Sequence, residues 1–139
     1  MTRQLEKRLI TEFLFDKYPL SLQWKRVRLG QVPTQEMAAA MKVTLNWADA
    51  IVLSGNEIVI IEAKMRPDSG AFGQLEHYRE LFKLTPEFSK YWNNPIRLEF
   101  VTTRLDENLK ATADSKSITY EIWRPDWVIK EEERIFRLK

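Results

Sequence analysis

The sequence contains no cysteine and a single histidine, His77, among its 139 residues. Without cysteine, the chain can form neither a disulfide framework nor a thiolate zinc site, and one histidine cannot build a histidine-rich metal site. Any metal that the protein binds must therefore be held mainly by oxygen ligands.

Long apolar runs are also lacking. The longest one centres on residues 58–61, far short of the roughly 20 residues that a membrane span needs. The N-terminus runs directly into an amphipathic pattern and has no apolar signal-peptide core. We therefore expect no membrane partner and a cytoplasmic location.

A large charge of one sign is missing as well. Lys and Arg number 22 against 20 for Asp and Glu, which leaves a net charge of +2. A net charge this small cannot hold a protein on nucleic acid by overall electrostatic attraction. A local basic patch is still possible, for example at Lys25, Arg26 and Arg28. With 44% apolar and 30% charged residues, the composition is that of one globular domain over residues 1–139.

Hydrophobic periodicity predicts a mixed α/β sheet flanked by helices. In chain order, the patterns indicate a helix at 3–17, strands at 22–29, 43–53 and 57–65, a helix at 71–84, and strands at 96–103 and 118–123. Residues 31–42 are interpreted as either a short helix capped by Thr34 or a mobile connection. Residues 105–117 are polar with no clear period, and 126–138 could be a helix or an edge strand.

Acidic and basic residues interrupt the part of the sequence that looks most buried. The run at residues 58–61 is apolar without alternation, which is typical of a central strand covered on both faces. The turn Ser54-Gly55-Asn56 joins this strand to the preceding one as a hairpin. Yet Asp49 lies inside the first strand, and Glu62 and Lys64 close the second.

These three side chains are expected to meet. Alternate residues of a strand share a face, so Glu62 and Lys64 project together, and the hairpin brings Asp49 within cross-strand reach. Two carboxylates in a partly desolvated place are unfavourable alone but favourable around Mg²⁺, which prefers carboxylate and water oxygens. Such a metal polarises a phosphoryl oxygen and lowers the pKa of a bound water, while a lysine positions that water.

The arrangement resembles the PD-(D/E)xK nuclease superfamily, on the strength of Asp49, the Glu62-Ala63-Lys64 triplet and the element order αβββαββ. The resemblance implies a restriction-endonuclease-like fold, with Asp49, Glu62 and the carbonyl of Ala63 as metal ligands and Lys64 as a catalytic residue. Ala48 stands where the family usually has proline.

Two further features fit the same resemblance. Many members carry an acidic residue on the first helix that faces the site, and Glu6, at the centre of the apolar arc of the first helix, is the candidate; Glu12 lies at the edge of that arc. Gln74 and Tyr78, one helical turn apart, resemble the QxxxY motif of the RecB-like branch. The alternatives are a solvated glutamate and a tyrosine of the core.

The function expected from this resemblance is hydrolysis of DNA phosphodiester bonds with Mg²⁺ or Mn²⁺ as cofactor. The alternative is a non-catalytic DNA-binding or assembly protein that keeps the fold, such as a subunit of a phage particle or of a repair complex. The expected partner is DNA, and a homodimer or larger assembly stays open. The resemblance also suggests a phage or mobile-element origin, in which case the location is the host cytoplasm.

Overall fold

A mixed β-sheet forms the centre of the protein, whose computed structural model describes residues 2–31 and 46–137. Its five strands lie side by side in chain order. The first three pair antiparallel, and the third, fourth and fifth pair parallel. The strands are β1 (Leu22–Leu29), β2 (Asn46–Ser54), β3 (Glu57–Ala63), β4 (Ile96–Thr102) and β5 (Ile118–Ile122).

Helices connect the strands and cover the sheet. They are α1 (Thr2–Lys17), α2 (Gly70–Phe82), a 3₁₀ helix (Pro86–Tyr91), α3 (Glu107–Ser115) and α4 (Asp126–Arg137). None of the helices found in the described ranges is long and apolar enough to cross a membrane. The expected mixed sheet flanked by helices is therefore confirmed.

Most sequence predictions hold at the level of elements, and one is wrong. The helix at 3–17 and the strands at 22–29, 96–103 and 118–123 are present within one or two residues, and the segment predicted as either helix or edge strand is a helix over Asp126–Arg137. The segment at 105–117, for which the sequence shows no clear period and no helix is predicted, contains α3, which begins after Asp106 because that carboxylate accepts the Leu109 N–H at 3.0 Å. Of the predicted segment at 31–42, all residues after 31 lie outside the described residues, and so do the first three of the strand at 43–53.

The strand β3 is buried on both faces, as its apolar run predicts. Ile58 and Ile60 belong to the core layer under α2, whereas Val59 and Ile61 belong to the layer under α1. All four side chains are fully buried. β3 is also the middle strand of the sheet, and its last residues, Glu62 and Ala63, are buried as well. The helix residues that complete the two layers include Leu9, Ile10, Phe13 and Leu14 of α1 and Phe72, Leu75, Tyr78 and Phe82 of α2.

The hairpin turn sets the register between β2 and β3. The connection consists of two residues, Gly55 and Asn56, and Gly55 has φ +63°, a left-handed conformation that favours glycine. The turn starts a regular antiparallel ladder that runs from Ser54 opposite Glu57 to Ala50 opposite Ile61. One further step along the ladder puts Asp49 opposite Glu62.

A buried polar network fixes the end of α1 to the sheet. Glu99 of β4 is fully buried and accepts hydrogen bonds from Tyr18 Oη at 3.0 Å and from Arg97 Nη1 at 2.8 Å. Arg97 also donates to Tyr18 Oη at 3.0 Å and to Glu57 at 3.0 Å. Burial raises the pKa of Glu99, and the neighbouring guanidinium partly offsets this effect.

Replacing Arg97 should therefore destabilise the protein strongly. Arg97→Met keeps the apolar stem but leaves Glu99 as a buried carboxylate without its cation, so we expect the free energy of unfolding to fall by about 3 kcal/mol. Urea unfolding measures this change. The matched control is Lys110→Ala, which removes an exposed ion pair with Asp114 and should change stability by less than about 0.5 kcal/mol. Equal effects of the two substitutions would contradict a stabilising role for the network.

Candidate active site

Two carboxylates meet at the end of the β2–β3 hairpin, each held by the backbone of the opposite strand. Glu62 Oε1 accepts the N–H of Asp49 at 3.2 Å, and Asp49 Oδ2 accepts the N–H of Ala63 at 2.8 Å. These reciprocal hydrogen bonds fix both side chains without a third element. The structure thus brings together the two carboxylates that the sequence singled out.

The environment of the pair disfavours two negative charges. Glu62 is 4% exposed, and Asp49 is half-buried. Burial and then the negative charge of Asp49 raise the pKa of Glu62 to about 8. Burial also raises the pKa of Asp49, and the two carboxyl groups are close enough to share a proton. The pair therefore needs a positive partner in order to be fully ionised.

Lys64 supplies one positive charge beside the pair. Its backbone N–H donates to the carbonyl of Val101 at 2.9 Å, which extends the contact between β3 and β4 by one residue. Its ammonium lowers the pKa of both Asp49 and Glu62, although burial remains the larger influence on each. Lys64 thus lies near both carboxylates, as the sequence predicted.

The two residues of the QxxxY motif lie in different environments. Tyr78 of α2 is buried, and its pKa is raised first by burial and then by the negative charges of Glu62 and Asp49. Gln74, one turn earlier, is exposed, and no hydrogen bond joins it to the carboxylates in the part of the chain that the structure describes. The structure therefore brings Tyr78 to the pair but not Gln74. The RecB-like branch stays a prediction.

Of the two glutamates considered on α1, it is Glu6 that lies near the end of β3. Its Oε2 accepts the N–H of Met65 at 3.0 Å, one residue beyond Lys64. Glu12 instead accepts hydrogen bonds from Arg8 Nε at 2.9 Å and from Trp127 Nε1 at 2.8 Å. Its carboxylate is therefore engaged elsewhere, and a metal-binding role for Glu6 stays a prediction.

The donor set fits a hard divalent cation. Asp49 and Glu62 supply carboxylate oxygens, and the carbonyl of Ala63 lies between Glu62 and Lys64 in the chain; such oxygens are the ligands of Mg²⁺ and Mn²⁺. Burial and then the charge of Asp49 raise the pKa of Glu62, and a positive ion between the two carboxylates would oppose both effects. Across the residues that the structure describes, no group of three or more acidic or histidine side chains is placed to hold a metal ion.

A cleft of about 920 Å³ opens beside the pair, between the start of α1, the segment after β3, and α4. This volume is in the range of roughly 300–1,000 Å³ that is typical of ligand sites. Asp49 and Glu62 do not line the cleft, but Lys64 and Glu6 do, so it borders the site on one side. Its other charged lining residues are Arg66, Asp68, Arg104, Glu131 and Glu132.

On its other side, Asp49 faces β1. The guanidinium of Arg26 lies close enough to lower the pKa of Asp49, against the larger effect of burial. Trp47, two residues before Asp49, has the guanidiniums of Arg26 and Arg28 over its ring. The sequence indicated the basic cluster but not its contact with Trp47, which depends on the register of β1 against β2.

Known structures share this fold. A repair endonuclease from Pyrococcus abyssi matches with a TM-score of 0.56 at 18% identity, over 86% of this chain and 47% of that chain. A complex of EndoMS with double-stranded DNA matches with a TM-score of 0.51 at 15% identity, over 86% and 45%. Protein VC1899 from Vibrio cholerae matches with a TM-score of 0.51 at 18% identity, over 96% and 32%. No protein-family model matches the sequence, and no curated protein matches it significantly.

These matches establish the fold. The chain has the mixed α/β architecture of repair endonucleases, which confirms the restriction-endonuclease-like fold expected from the sequence. It spans less than half the length of each of these structures. At identities of 15–18%, residue roles do not follow from the alignment and must be argued from the site itself.

Glu62 should make the metal-free protein less stable as the pH rises. Its pKa is about 8 in the folded state against a usual 4.5, so the folded state binds this proton more tightly than the unfolded chain does. The resulting stabilisation is present below about pH 4.5 and is lost as the pH rises to about 8. Since each pKa unit corresponds to about 1.4 kcal/mol, the loss is on the order of a few kcal/mol.

Thermal unfolding in chelator at pH 5 and pH 8 measures this dependence. Glu62→Gln should raise the Tm at pH 8 and flatten the difference between the two pH values, whereas exposed Asp16→Asn should keep the wild-type difference. Identical pH profiles for Glu62→Gln and the wild type would show that Glu62 is not the group responsible.

Proposed function

We propose that the protein is a metal-dependent deoxyribonuclease that hydrolyses DNA phosphodiester bonds. The observation that carries this proposal is the buried Asp49–Glu62 pair beside Lys64 at the end of a central strand. Two carboxylates and a lysine converge there in a fold shared with repair endonucleases. A structural ion pair would need only one carboxylate for one lysine, so the second carboxylate favours a cation site.

Each side chain has a role that follows from its position. Asp49, Glu62 and the carbonyl of Ala63 would hold Mg²⁺ or Mn²⁺, with Glu6 as a further acidic group at the end of β3. When bound, the cation would supply charge stabilisation at a phosphoryl oxygen and a more acidic water. Lys64 would orient the attacking water and stabilise the negative charge that develops in the transition state.

Tyr78 would act as a donor. Burial and the two carboxylates raise its pKa, so its hydroxyl keeps its proton at neutral pH. A protonated hydroxyl can donate a hydrogen bond to a carboxylate or a phosphate oxygen but cannot serve as a base. Gln74, one turn earlier on an exposed position, would contact DNA and not the carboxylates.

DNA is the proposed substrate because basic groups lie on both sides of the carboxylates. Arg66 and Arg104 line the cleft on one side, and Arg26 and Arg28 lie on the other. The similar EndoMS structure is a complex with double-stranded DNA. A cytoplasmic location, a phage or mobile-element origin, and a homodimer or larger assembly stay predictions from the sequence.

Incubation of the protein with circular and linear DNA tests the proposal. We expect cleavage with Mg²⁺ or Mn²⁺ and none in excess chelator, because only oxygen ligands are offered. Asp49→Asn should abolish cleavage, whereas Lys110→Ala, on α3, should retain it. Cleavage that persists undiminished in chelator would refute the proposed metal site, and a complete lack of cleavage by the folded protein would favour the non-catalytic alternative.

Lys64→Ala tests the role of the lysine separately from that of the metal ligands. Turnover should fall on the order of a hundredfold or more, the usual effect of removing one preorganised charge stabiliser from a transition state. Metal binding should survive or tighten, because both carboxylates remain and a neighbouring positive charge is removed.

Cleavage rate, metal affinity and DNA affinity are measured on the same variant. A selective loss of cleavage supports a catalytic Lys64, and unchanged cleavage rejects it. Because a folding defect would lower all three together, the Tm is recorded in parallel, and Lys110→Ala again provides the matched loss of one positive charge.

A further inference from the structure

Two arginines and a tryptophan form a compact cluster next to the carboxylates. Arg28 of β1 pairs directly with Trp47 of β2 in the sheet register. The Cζ atom of Arg28 lies 5.5 Å from the centre of the Trp47 ring, and that of Arg26 lies 5.0 Å from it. Both distances are within the roughly 6 Å over which a cation is attracted to an aromatic face. We call these three residues the Arg–Trp–Arg cluster.

The cluster lies at an outer strand of the described sheet and close to the site. In the sheet that the described residues form, β1 is an outer strand. Arg26 and Arg28 are exposed, and Trp47 is 38% exposed. Trp47 precedes Asp49 by two residues on the same strand, a distance of roughly 7 Å along the backbone. A ligand that reaches Asp49 from this edge therefore passes the cluster.

The backbone of Arg26 is in a conformation that its side chain disfavours. Its φ is +50°, in the left-handed region, which residues with a Cβ other than Asn and Asp rarely adopt. Glycine would adopt this conformation more easily. A strained residue beside a candidate catalytic carboxylate is a reason to look for a function of its side chain.

Like charges argue against a purely structural cluster. Two guanidiniums held near one ring repel each other, and neither forms an ion pair with a carboxylate within the described ranges. One arginine would suffice to cover the indole. An anion between the two guanidiniums would remove the repulsion, and guanidinium forks match the geometry of phosphate oxygens.

We propose that the Arg–Trp–Arg cluster is a phosphate clamp that holds the DNA backbone beside the phosphodiester positioned at Asp49 and Glu62. The assignment of DNA rests on the proposed nuclease function. Trp47 orders the two guanidiniums, and Arg26 and Arg28 bind phosphate oxygens. Because such contacts do not read bases, the clamp gives register and affinity without sequence preference.

Salt-dependent DNA binding tests the clamp without relying on cleavage. The affinity of a labelled duplex is measured by fluorescence anisotropy in chelator between 50 and 200 mM salt, for the full chain. DNA affinity falls as salt rises, so the slope of log K against log salt is negative. Each phosphate contact that is lost should make this slope less steep, by about 0.9. We expect Arg28→Ala and Arg26→Gly each to make the slope less steep by about 0.9. Each should also weaken DNA binding at fixed salt on the order of tenfold.

Arg26→Gly separates binding from folding. Glycine accepts the left-handed backbone, so the Tm should stay within about 3 °C of the wild type while DNA affinity falls. Lys110→Ala, on α3, which packs against β5 at the opposite edge of the sheet, removes one positive charge as a control and should leave the slope unchanged. Wild-type slopes for both arginine variants would overturn the clamp.

Trp47→Leu distinguishes a clamp from a base-stacking platform. Under the proposal it keeps both charges, so the salt slope stays close to the wild-type slope and duplex affinity falls less than in the arginine variants. If Trp47→Leu loses more affinity for single-stranded DNA than either arginine variant does, the clamp is overturned in favour of base stacking on the tryptophan.

The same measurements separate the clamp from the nuclease. One outcome is that the wild type binds DNA, with a salt dependence that becomes less steep in the arginine variants, and yet never cleaves it. That result would refute the nuclease and support the clamp. A protein that cleaves while the arginine variants bind as the wild type does would refute the clamp and support the nuclease. A wild type that shows no DNA binding at any salt concentration would overturn the clamp.

Discussion

The close approach of two carboxylates at a buried strand end is the constraint on which the rest of the site depends. Like charges in a poorly hydrated place repel, so a chain that places them there must hold them by other means. Here the holding groups are backbone N–H donors of the opposite strand, at 3.2 Å to Glu62 and 2.8 Å to Asp49. Their alignment depends on the hairpin register, and that register begins at the two-residue turn whose first residue, Gly55, has a positive φ. A local backbone preference at Gly55 thus determines the placement of two carboxylates, Asp49 six residues before it and Glu62 seven residues after it.

The position of the site also depends on interactions distant from it. The strand β3 presents Glu62 at a buried end because apolar layers cover both of its faces, and the α1 layer brings Glu6 to the same end. The network of Tyr18, Arg97 and Glu99 ties the chain just after α1 to β4, the parallel neighbour of β3. Since helices that pack on a sheet can slide along it, a buried ionic contact of this kind gives α1 a specific position as well as affinity for the sheet.

Local sequence signals account for the parts of the structure that were predicted. The unbroken apolar run before Glu62 indicates a central strand, and a short glycine-containing turn fixes its partner, so Asp49 and Glu62 could be paired from the sequence alone. By contrast, α3 was missed because Ala113 is its only buried residue, which leaves almost no apolar period to detect. The contact of Trp47 with Arg26 and Arg28 was missed for another reason. It depends on cross-strand register and on a positive φ at Arg26, and neither can be read from residue types.

The charges around the pair suggest how a cation and DNA would share one site. Burial and the negative charge of Asp49 raise the pKa of Glu62 to about 8, so a divalent cation that bound this carboxyl group at neutral pH would compete with its proton. Burial raises the pKa of Asp49, and the positive charges of Lys64 and Arg26 oppose that effect. The same positive groups would repel the cation slightly and attract a phosphate. Cation and phosphate would therefore bind better together than separately, because each neutralises the charge that opposes the other. With both bound, the carboxylates and the neighbouring cationic side chains would each face a group of opposite charge, and the charges of the site would balance.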